Sequence, residues 1–187
     1  MTTPRNRPSP GLYPAAAELS VAARLARVAA AVTTAATRGR PVAVVLRGVS
    51  GAGKTTLARQ LGGPVVEADD LFVSDGGAYA FDPRRLTEAH AQCFRRWCGL
   101  MSQSRSAEGT VVAVVANTGI SAAEISPYVL AAQAWAVEPL IVRLVVPAAT
   151  AAARATHGVP ASRIEDAATR LLEPLPPFLE PLELVLR

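Results

Sequence analysis

Gly48, Gly53, Lys54 and Thr55 complete the pattern G-x-x-x-x-G-K-[ST] within the run GVSGAGKTT, residues 48–56. Lys54 is the only lysine in the chain; every other long basic side chain is an arginine. A compact ammonium suits a crowded phosphate cradle, where the planar guanidinium fork is a poor substitute. Glycines let such a loop curl so that its N–H groups point inward at phosphate oxygens, and the helix that follows adds its N-terminal partial charge. Gly48, Ser50, Gly51, Ala52, Gly53, Lys54, Thr55 and Thr56 are therefore expected to hold a nucleoside triphosphate. Lys54 would reach the β- and γ-phosphates, and the Thr55 hydroxyl would serve Mg²⁺. ATP, or another triphosphate, and Mg²⁺ are the expected cofactors.

What is done with the triphosphate depends on nearby acids. The run VVEADDLF places Asp69 and Asp70 just after an apolar stretch. Ligands of open α/β sheets bind at the carboxyl ends of strands, so Asp69 is expected beside the γ-phosphate. There it would accept a proton from an attacking hydroxyl, worth about 10²–10⁴ in rate, or share in the Mg²⁺ shell. The competing role for this pair is to cap the short segment that follows. A guanine-reading N-K-x-D motif is impossible because the single lysine is already used. A motor-type ATPase would carry a carboxylate at the end of an apolar strand; VVAVVANTG ends in Ala116 and Asn117 instead.

These residues need elements to hold them. PVAVVLR (41–47), PVVEAD (64–69), GTVVAVVAN (109–117), PLIVRLVV (139–146) and LELVLR (182–187) are apolar, β-branched runs that predict five strands. Between them, helical patterns are expected over 15–38, 53–61, 83–106, 121–136, the first part of 147–160, and 161–173. Ser121 and Glu124 form a capping-box pair. In the first helix Leu19, Ala22, Ala23, Ala26 and Ala30 share a face, leaving Arg24, Arg27 and Arg38 exposed. In 83–106 the stripe is Leu86, His90, Cys93, Trp97 and Leu100, which makes His90 a core histidine. Strands alternating with helices predict an α/β fold of the P-loop NTPase type: a parallel sheet of about five strands, helices on both faces, and lid helices near the C-terminus. Residues 1–14 read as a flexible, proline-rich arm and 15–187 as one domain. The PLPPFLEP stretch reads as a turn into the last strand.

The chain has 187 residues and a net charge of +4, an excess that fits an anionic partner. No apolar run approaches the length of a membrane span. The two cysteines, Cys93 and Cys98, sit too far around one helix for a disulfide and have no zinc partners. Buried reduced thiols and a cytoplasmic location are expected.

Taken in order, GVSGAGKTTLARQL, EADDLF, YAFDPRRLTEAHAQCFRRW, VVAVVANTGI with EISPYVLAAQ, and RATHGVP resemble the P-loop polynucleotide-kinase-like family over about residues 42–172. The resemblance implies that Asp69 is the general base and that Asn117 and Thr118 help position the acceptor. It also implies that Arg154 is a lid arginine closing over the triphosphate. Ala116, Gly119 and Phe72 stand where family members commonly carry an acid, an asparagine and, in some phage enzymes, an arginine that contacts the acceptor phosphate. The implied activity is transfer of the γ-phosphoryl group of ATP to a hydroxyl, with a 5′-hydroxyl of DNA or RNA favoured. A small-molecule kinase acting on a nucleoside, sugar or antibiotic-like alcohol is the alternative, and a non-catalytic nucleotide switch is a reading of another class.

The catalytic set is therefore Lys54, Asp69 and Arg154, with Thr55 and Asp69 at the metal. Asp70, Phe72, Tyr79, Phe81, Asn117 and Thr118 are expected on the acceptor side. The three aromatics either stack a base or anchor their loop. Arg84, Arg85, Arg95, Arg96 and Arg105 form either a basic face for a phosphate backbone or a solvated helix surface. Arg163 and Arg170 are weaker lid candidates, and His157 is a structural residue of the lid turn.

Overall fold

A computed structural model describes residues 19–36, 39–74, 76–104, 111–156 and 158–187. The expected arm (1–14), the first turns of the expected first helix, Arg38, Arg105 and His157 lie outside the described residues.

Strand β1 (Val42–Arg47) is buried along its whole length, as a strand covered on both faces must be. It lies at the centre of a five-stranded sheet with β2 (Val65–Val66), β3 (Val111–Val115), β4 (Glu138–Leu144) and β5 (Glu183–Leu186), in the order β2-β3-β1-β4-β5. Every neighbouring pair is parallel, so the connections cross over through helices: α2 (Lys54–Gln60), α3 (Leu86–Gln103), α4 (Ala122–Ala134), and α5 (Ala148–Arg154) with α6 (Ala161–Leu171); α1 (Val21–Ala36) precedes β1.

Period-two alternation divides the core. Ala43, Val45, Ala113, Val115 and Ile141 face α3 and α4, meeting Trp97, Met101 and Val129. Val42, Val44, Leu46, Val114, Val142 and Leu144 face the other layer, meeting Val28, Leu57, Ile164 and Leu171. The last strand forms as expected, led in by a 3-10 turn at Glu180–Leu182 that follows the buried Leu175 and Leu179 of the proline-rich segment.

Three expectations need correction. In α1 the fully buried residues are Arg24 and Val28, with Leu25 and Val32 packed beside them; an alanine-rich segment gives little contrast from which to read a face. In α3 the buried stripe is Ala89, Cys93, Trp97 and Met101, a strict i, i+4 series. That register turns His90 outward, so it is exposed rather than in the core. Strand β2 ends at Val66, not at 69, because Ala68–Phe72 closes into a 3-10 turn.

Candidate active site

The glycine loop leaves β1 at Arg47 and enters α2 at Lys54. Its first amide, Gly48 N–H, donates to the Thr118 carbonyl at 2.8 Å, tying it to the segment after β3. Gly51 (φ 79°) and Gly53 (φ 90°) adopt left-handed backbone that other residues resist. Gly51 has a second constraint: a Cβ there would lie 1.9 Å from the Ala151 carbonyl oxygen of α5. From the other side, Arg24 Nη1 of α1 donates to the Ala52 carbonyl at 3.4 Å. The arginine expected on the surface thus braces the phosphate loop.

Lys54 is 8% exposed, and its Nζ donates to the Val49 carbonyl at 2.9 Å. Burial lowers its pKa to about 8, against the raising influence of Glu67 and Asp69. Thr55 Oγ1 donates to Glu67 Oε1 at 2.7 Å. Sequence pattern gives no sign of Glu67, yet its carboxylate is hydrogen-bonded directly to the residue that follows Lys54. Burial raises its carboxyl pKa; the Thr55 hydroxyl works in the opposite direction.

Glu67 also caps the turn Ala68–Phe72. Its side chain accepts from the N3 amide, and the Asp70 side chain accepts the Glu67 N–H at 3.4 Å, a reciprocal capping box. Asn117 Oδ1 accepts the Ala68 N–H at 2.8 Å, while Asn117 Nδ2 donates to Tyr128 Oη at 3.1 Å and to Cys93 Sγ at 3.5 Å. The turn is held from three sides, and Asp69 projects from it. The two aspartates differ in their surroundings. Asp70 caps and pairs with Arg96, outside the cleft, whereas Asp69 lines the cleft.

That cleft has a volume of about 560 Å³. It gathers Ser50, Gly51, Gly53, Lys54, Thr55, Thr56, Glu67, Asp69, Tyr79, Phe81, Asn117, Thr118, Arg154 and Arg163. Arg154, the last residue of α5, and Arg163 of α6 thus share one cavity with the phosphate loop. Phe72, expected on the acceptor side, is buried at 3% exposure. It anchors Tyr79 and Phe81 through edge-on ring contacts at 6.3 and 5.1 Å, and these two reach the cleft. Asn117 lines the cleft too, but its amide is committed to the turn, Tyr128 and Cys93. His90 lines this cleft and a second cavity of about 510 Å³ that shares Asn117 and Thr118. Among the described residues no group of three or more histidine, cysteine or acidic side chains is placed to bind a metal by itself. The oxygen donors Thr55, Glu67 and Asp69 beside a triphosphate do suit Mg²⁺, which takes one or two carboxylates and completes its shell from phosphate and water.

The family model described as an AAA domain matches residues 43–171, more than half of the chain, and the chain belongs to that family. Human NEDD4-binding protein 2 is 34% identical over 97 residues, covering 49% of this chain and 5% of that protein; the chain therefore spans a small part of that relative. Among solved structures, APE1195 aligns with a TM-score of 0.50 at 18% identity, covering 80% of this chain and 86% of that one. The Pnkp1/Rnl/Hen1 complex aligns with a TM-score of 0.50 at 16% identity, covering 65% and 41%. At such identities these two bear on fold, and they agree with the parallel five-stranded sheet.

Proposed function

We propose that this AAA-domain chain is a phosphotransferase that moves the γ-phosphoryl group of ATP to a hydroxyl acceptor. The observation that carries this reading is the placement of Asp69. It projects from a turn fixed by Glu67, Asp70 and Asn117 into the cavity that holds Lys54 and Thr55. A switch that only binds nucleotide could use such a carboxylate for Mg²⁺, but it has no need of open space beyond it for an acceptor.

In the reaction the acceptor oxygen attacks the γ-phosphorus and passes its proton to Asp69. The new O–P bond forms as the bridging P–O bond to the β-phosphate breaks, and the electron pair leaves with ADP. Lys54, Arg154 and Arg163 supply positive charge around the transferring group, where positioning and electrostatics do most of the work. Mg²⁺, when bound, would neutralise charge on the β- and γ-oxygens, and Thr55, Glu67 and Asp69 are the residues that would hold its shell, directly or through water. The acceptor expected from the sequence is a 5′-hydroxyl of DNA or RNA, with a small-molecule alcohol as the alternative; both satisfy this chemistry.

Incubation with γ-labelled ATP, a 5′-hydroxyl oligonucleotide and a panel of nucleosides and sugars tests the reading. Label should move to an acceptor. Asp69→Asn should lower transfer by at least 10²-fold, at the lower end of what a general base contributes, while nucleotide still binds. Transfer that survives this substitution would remove Asp69 as the base. Nucleotide binding without transfer to any acceptor would leave only the switch.

A further inference from the structure

Two features of the acceptor side have no part in the reaction just described: a second cavity behind Asn117 and Thr118, and the pairing of the arginines around it. The cavity, about 510 Å³, is walled by Phe94, Ile125, Pro127 and Tyr128. Its size lies within the range of about 300–1,000 Å³ typical of small-ligand sites. It meets the phosphate cleft along His90, Asn117 and Thr118, which line both. A molecule seated across that border would carry one end towards Asp69 and the other into the cavity against the wall formed by Phe94 and Tyr128, which pack edge to face on each other at 5.5 Å.

The polar groups of this second cavity are mostly committed. Glu124 accepts from the Ile120 and Ser121 amides in its capping box. The Asn117 amide serves Ala68, Tyr128 and Cys93, and the Tyr128 hydroxyl donates to Cys93 Sγ. Among the described residues, His90 and Thr118 are what remains to meet a ligand. A sugar or linear polyol, which needs a partner for nearly every hydroxyl, would be left unsatisfied here. A nucleoside differs in carrying a flat aromatic ring, which apolar and aromatic walls cover through its faces without hydrogen bonds.

Charge argues against a polynucleotide end. The cations lining the phosphate cleft are Lys54, Arg154 and Arg163, and none lines the second cavity. On the neighbouring surface Arg84 is bound by Asp82, Arg85 by Glu88 and Arg96 by Asp70. These pairs are exposed and individually weak, but a strand's phosphates would have to displace the carboxylates to use these side chains.

We infer that the acceptor is a neutral, ring-bearing alcohol of nucleoside size, whose hydroxyl meets Asp69 and whose ring lies in the cavity between Phe94 and Pro127. This rests on the phosphotransfer reading, with the bond changes given above. The test uses the full chain, γ-labelled ATP and three probe sets: the four ribonucleosides, a 5′-hydroxyl decanucleotide, and glucose with gluconate. Binding of the ribonucleosides is followed in parallel by calorimetry with a non-hydrolysable ATP analogue present. A labelled nucleoside, with the decanucleotide and sugars unlabelled, is the expected result. Label on the decanucleotide or a sugar alone overturns the inference and leaves phosphotransfer standing. Nucleosides that bind but are never labelled overturn the phosphotransfer reading and leave the pocket. Ala91→Trp, on the exposed rim of the second cavity, should raise KM for the nucleoside more than tenfold with nucleotide affinity unchanged. An unaltered KM would show that the ring lies elsewhere.

Discussion

Lys54 is held in a poor solvent for its own charge. Its Nζ is buried against the Val49 carbonyl, and desolvation outweighs the help of Glu67 and Asp69, leaving its pKa at about 8 rather than 10.5. Such a group weakens the ligand-free fold. Between pH 8 and 10.5 the unfolded chain binds more protons than the folded one, so stability rises with pH through that window. A triphosphate reverses the balance by supplying the negative charge that the pocket lacks. Nucleotide binding should therefore take up protons increasingly above pH 8, and affinity should fall there by up to tenfold per pH unit. Titration calorimetry at pH 7, 8 and 9, in buffers of different ionisation enthalpy, measures both quantities. Lys54→Ala should abolish binding; an affinity that stays flat to pH 9.5 would show that Lys54 is already fully charged in the free protein.

At the scale of elements, the unit that matters is the turn Ala68–Phe72. Glu67 stands at its start and reaches two ways, to the Thr55 hydroxyl and to the turn's own amides. It links α2, which opens at Lys54, to the turn that carries Asp69. Glu67→Gln keeps the size and one acceptor oxygen but removes the charge. It should weaken the Mg²⁺ dependence of nucleotide binding about tenfold, within the about 10–100-fold loss usual for residues that support a metal's ligands, and lower kcat more than it raises KM for the acceptor. A Mg²⁺ titration followed by a fluorescent nucleotide separates the two, and an unchanged Mg²⁺ midpoint would confine Glu67 to capping. This turn also marks how far the sequence could be read. The five strands, the glycine loop and the Ser121 cap follow from local pattern, because periodicity and capping chemistry act within a few residues. The turn does not: Ala68 N–H is claimed by Asn117, 49 positions away, and EAD reads as the end of a strand until that partner is known. Arg24 and His90 were misplaced for the same reason. Their surroundings are built by the glycine loop and by the far side of the cleft, and each helical position turns a side chain by about 100°, so the residue after buried Ala89 can face solvent.

Across the whole molecule, a buried charge cluster ties the last strand to the site. Arg47, 1% exposed at the end of β1, donates through Nε to the Gly119 carbonyl and through Nη2 to the Ile120 carbonyl, both at 2.9 Å. Its Nη1 pairs with Glu183 of β5, whose other oxygen meets Arg143 Nη2 at 3.0 Å. Burial lowers the Arg47 pKa while Glu183 opposes the shift; the guanidinium stays charged because its partners replace its water. The segment it holds, residues 117–120, is the one whose Thr118 carbonyl receives the first amide of the phosphate loop. One side chain thus connects the C-terminal strand, the central strand and the loop bordering the acceptor cavity. Removing a single partner from a buried charge pair costs about 3–5 kcal/mol, because the other charge and its hydrogen-bonded groups are left behind. That is a large share of a typical folding free energy of about 5–15 kcal/mol. Arg47→Met should therefore move the urea midpoint far below that of the parent chain. Arg40→Ala, at an exposed ion pair 3.8 Å from Glu138, should shift stability by no more than about 1 kcal/mol. A Glu183→Gln change added to Arg47→Met should recover part of the loss, since it removes a buried carboxylate left with Arg143 alone while keeping an oxygen for that arginine. If the double variant is no more stable than Arg47→Met alone, the two backbone carbonyls, rather than the ion pair, are what Arg47 is there to hold.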